Sequence, residues 1–275
     1  MAPVLMVGNW LLPLLYLALL IDYGATFFLR TRTHVRSPWL AAVVAVHAAM
    51  LVLRGMHLGR LPADAHEILS ALALAIAAVY AVIEFAGRDR RSGAFVLLLA
   101  FLFQYTSSIF LAGTESLPPA AGAERVWARL HVVPALVAYT ALGFACIYGF
   151  LYLTARRGLR HHRFGVLFDR LPPLDLLGRM TWLALVAGFV FMTVTIATGL
   201  LMAASGQAAA GAAAAAAAGT KVLMKIVTGG AAWLIYAVAI LGRLAGKWQP
   251  PRIAAIAVAG YAVVVTLLIV SALLS

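Results

Sequence analysis

The sequence predicts an all-α polytopic membrane protein: a bundle of eight transmembrane helices with both termini on the extracytoplasmic side. Three observations predict it. The chain is 64% hydrophobic and only 11% charged over 275 residues, with a mean hydropathy of +1.00, whereas soluble domains run at roughly 45–50% apolar and about 25% charged. Its apolar residues gather into runs long enough to cross a bilayer, about 20 residues each. Its cations, 21 Lys and Arg against 9 Asp and Glu, fall on alternate connections between those runs. A soluble enzyme, a disordered chain and a disulfide scaffold are excluded. Cys146 is the single cysteine, which permits no intrachain disulfide and no CxxC motif, and it reads as a small buried hydrophobe.

Taken in order, the spans cover about 3–21, 38–57, 68–85, 92–112, 132–154, 180–203, 222–244 and 251–274, each a near-continuous apolar segment. The first is a span and not a cleavable signal: no basic residue precedes it and no small-x-small site ends it. The Ala/Gly-rich stretch 204–220, with QAAAGAAAAAAAG at 207–219, contains no Leu, Ile, Val or Phe. Alanine gains little from hydrocarbon but is the best helix former, so this stretch reads as an external connector with helical tendency and not as a ninth span. The whole chain, 1–275, is then one membrane domain.

Orientation follows from the cations. The first, third, fifth and seventh connections carry Arg30, Arg32, Arg36, Arg88, Arg90, Arg91, Arg156, Arg157, Arg160, Arg163, Arg170, Arg179, Arg243, Lys247 and Arg252. The opposite side has Arg54, Arg60, Arg125, Arg129, Lys221 and Lys225. Because Lys and Arg collect on the cytoplasmic side, the odd connections face the cytoplasm and both termini lie outside. The net charge of +12 is therefore mostly an orientation signal, and nucleic acid is not an expected partner. The stretch RRGLRHHRFGVLFDR at 156–170 sits where anionic lipid headgroups would meet it.

Polar residues inside spans are costly and mark function or helix contacts. On this topology they concentrate in the outer half: Asn9 and Trp10; His47, Arg54 and His57; Gln104, Tyr105, Thr106, Ser107 and Ser108; His131 and Tyr139; Thr193, Thr195 and Thr198; Lys225 and Thr228. The cytoplasmic halves are nearly featureless apart from Glu84. This predicts one polar site open to the extracytoplasmic face. His47, Met50, Arg54 and His57 fall at i, i+3, i+7 and i+10, within one broad helical face, with His47 and Arg54 about 10 Å apart along the axis. An imidazole deep in the membrane with a guanidinium two turns outward suits an anionic ligand with a metal centre such as haem, in which iron takes imidazole and a carboxylate takes the guanidinium.

Each of these residues also has a plainer reading. His47 would hydrogen-bond a neighbouring helix. Arg54 and His57 would snorkel at the boundary. His131, at the start of its span, would face water. The Ser and Thr hydroxyls would bond their own helix backbone. Gly229-Gly230 would be a close-packing point between helices, and His66-Glu67 would serve a helix start. His34, His161 and His162 belong to basic connections and would be solvated or lipid-facing. No HExxH, GxSxG, Walker loop or dinucleotide fingerprint is present, so the chain does not read as an enzyme.

The second half carries a resemblance. HVVPALVAYTALGFACIYGFLYL from His131, LPPLDLLGRM at 171–180, GFVFMTVTIATGLL at 188–201 and KVLMKIVTGGAAWLIYAVAILGR at 221–243, in that order, resemble the cytochrome c assembly membrane family of the CcsA, CcmC and HemX types. The layout without large loops is most similar to the HemX and YpjD-like bacterial inner-membrane proteins. The resemblance covers about 68–272 and is strongest over about 130–270. It implies haem handling at the outer face, with His131 and His47 matching family histidines and so implied as iron ligands; His57 and Arg54 join them as cofactor-site candidates. It also implies other cytochrome c assembly proteins as partners, beside membrane lipid. The family's tryptophan-rich WWD loop is absent: residues 113–130 hold only Trp127. No histidine lies in the Ala/Gly connector, and Gly219-Thr220-Lys221 stands where many relatives have Asp-Pro-Lys. The implied role is thus to bind haem or assist its handling, not to catalyse attachment alone. A regulatory or scaffold protein without haem, and a small-solute transporter, are the rival expectations.

Overall fold

The computed structural model describes residues 2–29, 38–59, 65–87, 90–110, 122–162, 168, 170–209 and 212–273. Among these the protein is all-helical, with eight main helices: α1 Ala2–Leu29, α2 Pro38–Leu58, α3 Ala65–Gly87, α4 Gly93–Phe110, α5 Gly122–Arg160, α6 Leu174–Ala209, α7 Ala212–Leu244 and α8 Pro250–Leu273. Seven are long and apolar enough to cross a membrane, and Gly93–Ile109 is a shorter apolar helix. The chain is a multi-pass membrane protein.

Several elements run beyond the sequence boundaries, α1 among them, to Leu29. α5 begins at Gly122, not near 132, so His131 lies in its third turn instead of at a helix start. α6 and α7 extend into the Ala/Gly stretch from both sides, to Ala209 and from Ala212, as the helix propensity of alanine favours. The cations Arg30, Arg32, Arg36, Arg60, Arg88 and Arg163, as well as His34, lie outside the described residues, and the side chains of Arg125, Trp127, Lys221 and Lys225 do so too.

The chain forms two compact units. Unit 1 comprises Met1–Pro119 and Thr154–Leu176; unit 2 comprises Ala120–Leu153 and Leu177–Ser275. In unit 1, α1 packs on α2 and α4, and α3 packs on α2 and α4. Asn9, Tyr16 and Tyr23 recur every seven residues along α1, about 10.5 Å apart on one stripe, and each carries an interhelical hydrogen bond. At the lowest of these levels, the Tyr23 hydroxyl donates to Glu84 Oε2 at 2.5 Å. Arg90 lies 3.6 Å from Glu84 Oε1 and 3.2 Å from Asp22 Oδ2, with its guanidinium 4.0 Å above the Tyr23 ring centroid. Burial works against the Arg90 charge, but Tyr23, Glu84 and Asp22 outweigh it and push the guanidinium above its ordinary value. Gly93 makes room here: a Cβ would meet the Tyr23 and Tyr80 rings.

Unit 2 is built around an antiparallel α5–α6 pair held in register by glycines. A Cβ at Gly178 would lie 3.3 Å from the Tyr152 ring, at Gly188 2.6 Å from Leu142, and at Gly199 3.0 Å from the His131 ring. Each step of ten or eleven residues forward along α6 is matched by the same step back along α5. Three helical turns take about 10.8 residues, so the three glycines form one stripe, and small residues on one stripe let membrane helices approach closely. Gly149 brings α5 equally near α8, where a Cβ would lie 3.1 Å from the Ala254 carbonyl oxygen. α6 meets α7 through Phe189 stacked on Trp233, the Trp233 indole N–H donating to Thr193 Oγ1 at 2.9 Å, and Arg243 over the Trp182 ring. The Gly229-Gly230 pair, read from sequence as a packing point, has, among the described residues, no heavy atom of a neighbouring element within 4 Å of the Cβ built at either position. Close approach is supplied by the isolated glycines at three-turn spacing instead.

Candidate functional site

Unit 1 places His47 at the centre of a polar chain. The ring is fully buried. Its Nδ1 lies 3.0 Å from the Tyr16 hydroxyl on α1, and its Nε2 lies 3.0 Å from Ser70 Oγ on α3. Ser70 donates to Gln104 Oε1 at 2.9 Å, Gln104 Nε2 donates to Ser108 Oγ at 3.1 Å, and Ser108 Oγ donates to the Asn9 carbonyl at 2.8 Å. The Asn9 amide returns a bond to the Ser108 carbonyl at 3.1 Å. One protonation pattern runs through the chain: Tyr16 donates to Nδ1 in preference to the more distant Ala73 carbonyl at 3.5 Å, Nε2–H donates to Ser70, and the remaining hydroxyls and amides follow in one direction. The reverse tautomer would make Ser70 Oγ serve both Nε2 and Gln104 with its single proton. Chains of this polarity strengthen one another in a low-dielectric interior. Both ring nitrogens of His47 are therefore engaged by protein.

Arg54 is also engaged. Its Nε donates to Glu67 Oε1 at 3.1 Å, with the carboxylate side chain only 2% exposed. His57 lies exposed at the end of α2. The serines depart from the sequence expectation: Ser107 Oγ donates to the His66 carbonyl at 2.6 Å, and Ser70 and Ser108 bond across helices. The threonines keep to it, with Thr193, Thr195 and Thr198 each donating to the carbonyl four residues back.

Unit 2 places His131 differently. Its Nδ1 lies 3.0 Å from the Thr195 carbonyl oxygen on α6. A carbonyl can only accept, so Nδ1 carries the proton, and in the neutral ring the lone pair is on Nε2. Among the described residues Nε2 has no hydrogen-bond partner, and the ring is half-buried. Gly199 is the reason the bond forms. In an α-helix the carbonyl of residue 195 points toward residue 199, and without a Cβ there the His131 ring can lie against the backbone. The same carbonyl also accepts from Thr198 Oγ1 at 3.0 Å. A metal-ligating histidine almost always donates its other ring N–H to a carbonyl, carboxylate or water, which fixes the tautomer and the ring orientation. The His131 station has that arrangement, and the residues present fit an iron ligand. His47 does not fit one without giving up a bond to Tyr16 or Ser70.

Sequence reading singled out His47, Arg54, His57 and His131 but not Tyr16, Ser70, Glu67 or Gly199, which decide what the first four can do. The legible signals were the seven-residue recurrence of Asn9, Tyr16 and Tyr23 and the three-turn recurrence of Gly178, Gly188 and Gly199. Among the described residues, no group of three or more His, Cys, Asp or Glu could hold a metal ion; one histidine with a porphyrin needs no such group.

Comparison with known proteins gives one match: the family model described as cytochrome C assembly protein covers residues 9–275. No curated protein and no solved structure matches the chain.

Proposed function

This chain belongs to the cytochrome c assembly protein family, a family of haem-handling membrane proteins, and from that premise we propose that it binds haem, or assists its handling, on the extracytoplasmic side of a bacterial inner membrane. On this reading it is of the HemX and YpjD-like kind, spans the membrane eight times and has both termini outside. The alternation of cations along the sequence supports that orientation. The accessory character fits the absence of a WWD loop and of any enzyme motif in the sequence, with other cytochrome c assembly proteins as partners.

The observation that carries the proposal is the His131 station: Nδ1–H held by the Thr195 carbonyl at 3.0 Å over the bare Gly199 backbone. On our reading His131 holds the iron through Nε2. Haem, when bound, supplies an iron that accepts an imidazole and propionates that accept cations. Thr195 and Gly199 orient the ligand ring. His47 is assigned to the architecture of unit 1, because both its nitrogens are engaged. Arg54 is assigned there too, because Glu67 already neutralises it. His57, exposed, stays a candidate ligand in its own right.

The test is the absorption spectrum of protein purified from haem-replete cells. A Soret band in wild type that is lost in His131→Ala and kept in His57→Ala supports the assignment. A haem-free wild-type preparation refutes the haem reading, and a band unchanged in His131→Ala refutes the residue.

A further inference from the structure

The core of unit 2 contains polar groups that neither the helix contacts nor the His131 station uses. The hydroxyls of Tyr236 on α7 and Tyr261 on α8 have no hydrogen-bond partner among the described residues, and their side chains are 0% and 3% exposed. Gly260 shows how they come together. A Cβ there would lie 3.2 Å from Tyr236 Cζ, the carbon that bears the hydroxyl. The Tyr236 phenol thus ends against the α8 backbone at the residue preceding Tyr261. Thr140 is a further buried hydroxyl in this unit without a described partner, although Thr181, Thr193, Thr195, Thr198 and Thr266 all bond the carbonyl four residues back.

Within hydrocarbon no solvent is at hand to satisfy such groups, and a phenol left unpaired there is among the costlier defects a membrane protein can carry. Phenylalanine would fill the same space at both positions without that cost. A buried hydroxyl that protein does not satisfy is satisfied by bound water where several polar groups converge, since a buried water needs two to four such partners. The Tyr236 and Tyr261 phenols supply two such partners, one from α7 and one from α8.

We infer that unit 2 holds an internal hydration site in which bound water bridges the Tyr236 and Tyr261 hydroxyls. This site is independent of haem. It would give the α7–α8 core a polar joint that direct side-chain bonds do not supply.

The experiment is X-ray hydroxyl-radical labelling of the full chain in lipid nanodiscs, without added haem, read by peptide mass spectrometry. Radicals form from water in place, so a side chain beside bound water is oxidised even when buried. Tyr16 is the internal reference, because it is equally buried but bonds His47. Tyr236 and Tyr261 are expected to label severalfold faster than Tyr16. Labelling at or below the Tyr16 rate overturns the site. In Tyr236→Phe the Tyr261 labelling is expected to fall toward the Tyr16 rate, and labelling of Tyr261 that is unchanged in that variant overturns the shared bridge. The wild-type comparison decides the matter by itself if the variant does not fold.

Discussion

Gly199→Ala separates a ligand-orienting role for the α6 backbone from mere helix packing. A Cβ at this position would stand 3.0 Å from His131 Cε1 and 3.1 Å from Nδ1, while carbon contacts settle near about 3.5–4.0 Å. The ring must retreat by roughly half an ångström. The Nδ1–H bond to the Thr195 carbonyl, now 3.0 Å, would then stretch to about 3.5 Å, where such a bond is no longer effective. Loss of a bond that orients a metal-ligating histidine costs about 10–100-fold in affinity. Helix propensity acts in the opposite direction, since alanine in place of glycine favours a helix interior by about 1 kcal/mol. The expected result is thus a weaker haem complex in a protein that is no less stable. Haem titration followed at the Soret band gives the first quantity, and unfolding in SDS the second. Gly229→Ala is the control: among the described residues no neighbouring element comes within 4 Å of a Cβ there, so it has the same propensity gain and should leave haem affinity unchanged. Wild-type affinity in Gly199→Ala, or an affinity loss matched by a loss of stability, refutes the claim that this backbone site orients the ligand.

The other expectations are these. His131→Ala should abolish the Soret band and destabilise by only about 0.6–1.7 kcal/mol, from the one interhelical bond lost; an unaltered spectrum sinks the assignment. His47→Ala should do the reverse and destabilise by about 2–4 kcal/mol, from two interhelical bonds worth about 0.6–1.7 kcal/mol each and the cavity left behind, and a variant as stable as wild type would show that the polar chain contributes nothing. Glu84→Gln keeps the side-chain shape but strips the half-buried Arg90 of a carboxylate partner, which should cost about 1–3 kcal/mol; a Tyr23→Phe, Glu84→Gln pair measured as a cycle checks the coupling. For topology, Gly158→Cys in a Cys146→Ser background should react with an impermeant thiol reagent in inside-out vesicles and not in intact cells, and the opposite pattern inverts the orientation.

The helices were legible because bilayer thickness imposes a length on apolar runs that no tertiary context overrides. Where boundaries moved, the cause is local: alanine propensity draws α6 and α7 into the 204–220 stretch, and α5 starts ten residues earlier, which turns His131 from a helix-start residue into one with a facing helix. The site was legible only as a set of residue types. His47 and His131 are both histidines in apolar runs, and nothing in the sequence beside either one separates a ligand from a structural bond. Their difference is made on other helices. Tyr16 and Ser70 reach His47 from both sides and use both nitrogens, whereas a missing side chain at Gly199 exposes a carbonyl that engages one nitrogen of His131 and leaves the other open. Partners 31 and 23 residues away in one case, and an absent Cβ in the other, are invisible to spacing within a single span. What can be read is recurrence along the partner helices. Three polar residues every seventh position on α1 announce a stripe that must be satisfied across the bundle. Three glycines every third turn on α6 announce a groove into which another helix settles, and the residue that settles over the last of them is the histidine whose second nitrogen has no partner among the described residues.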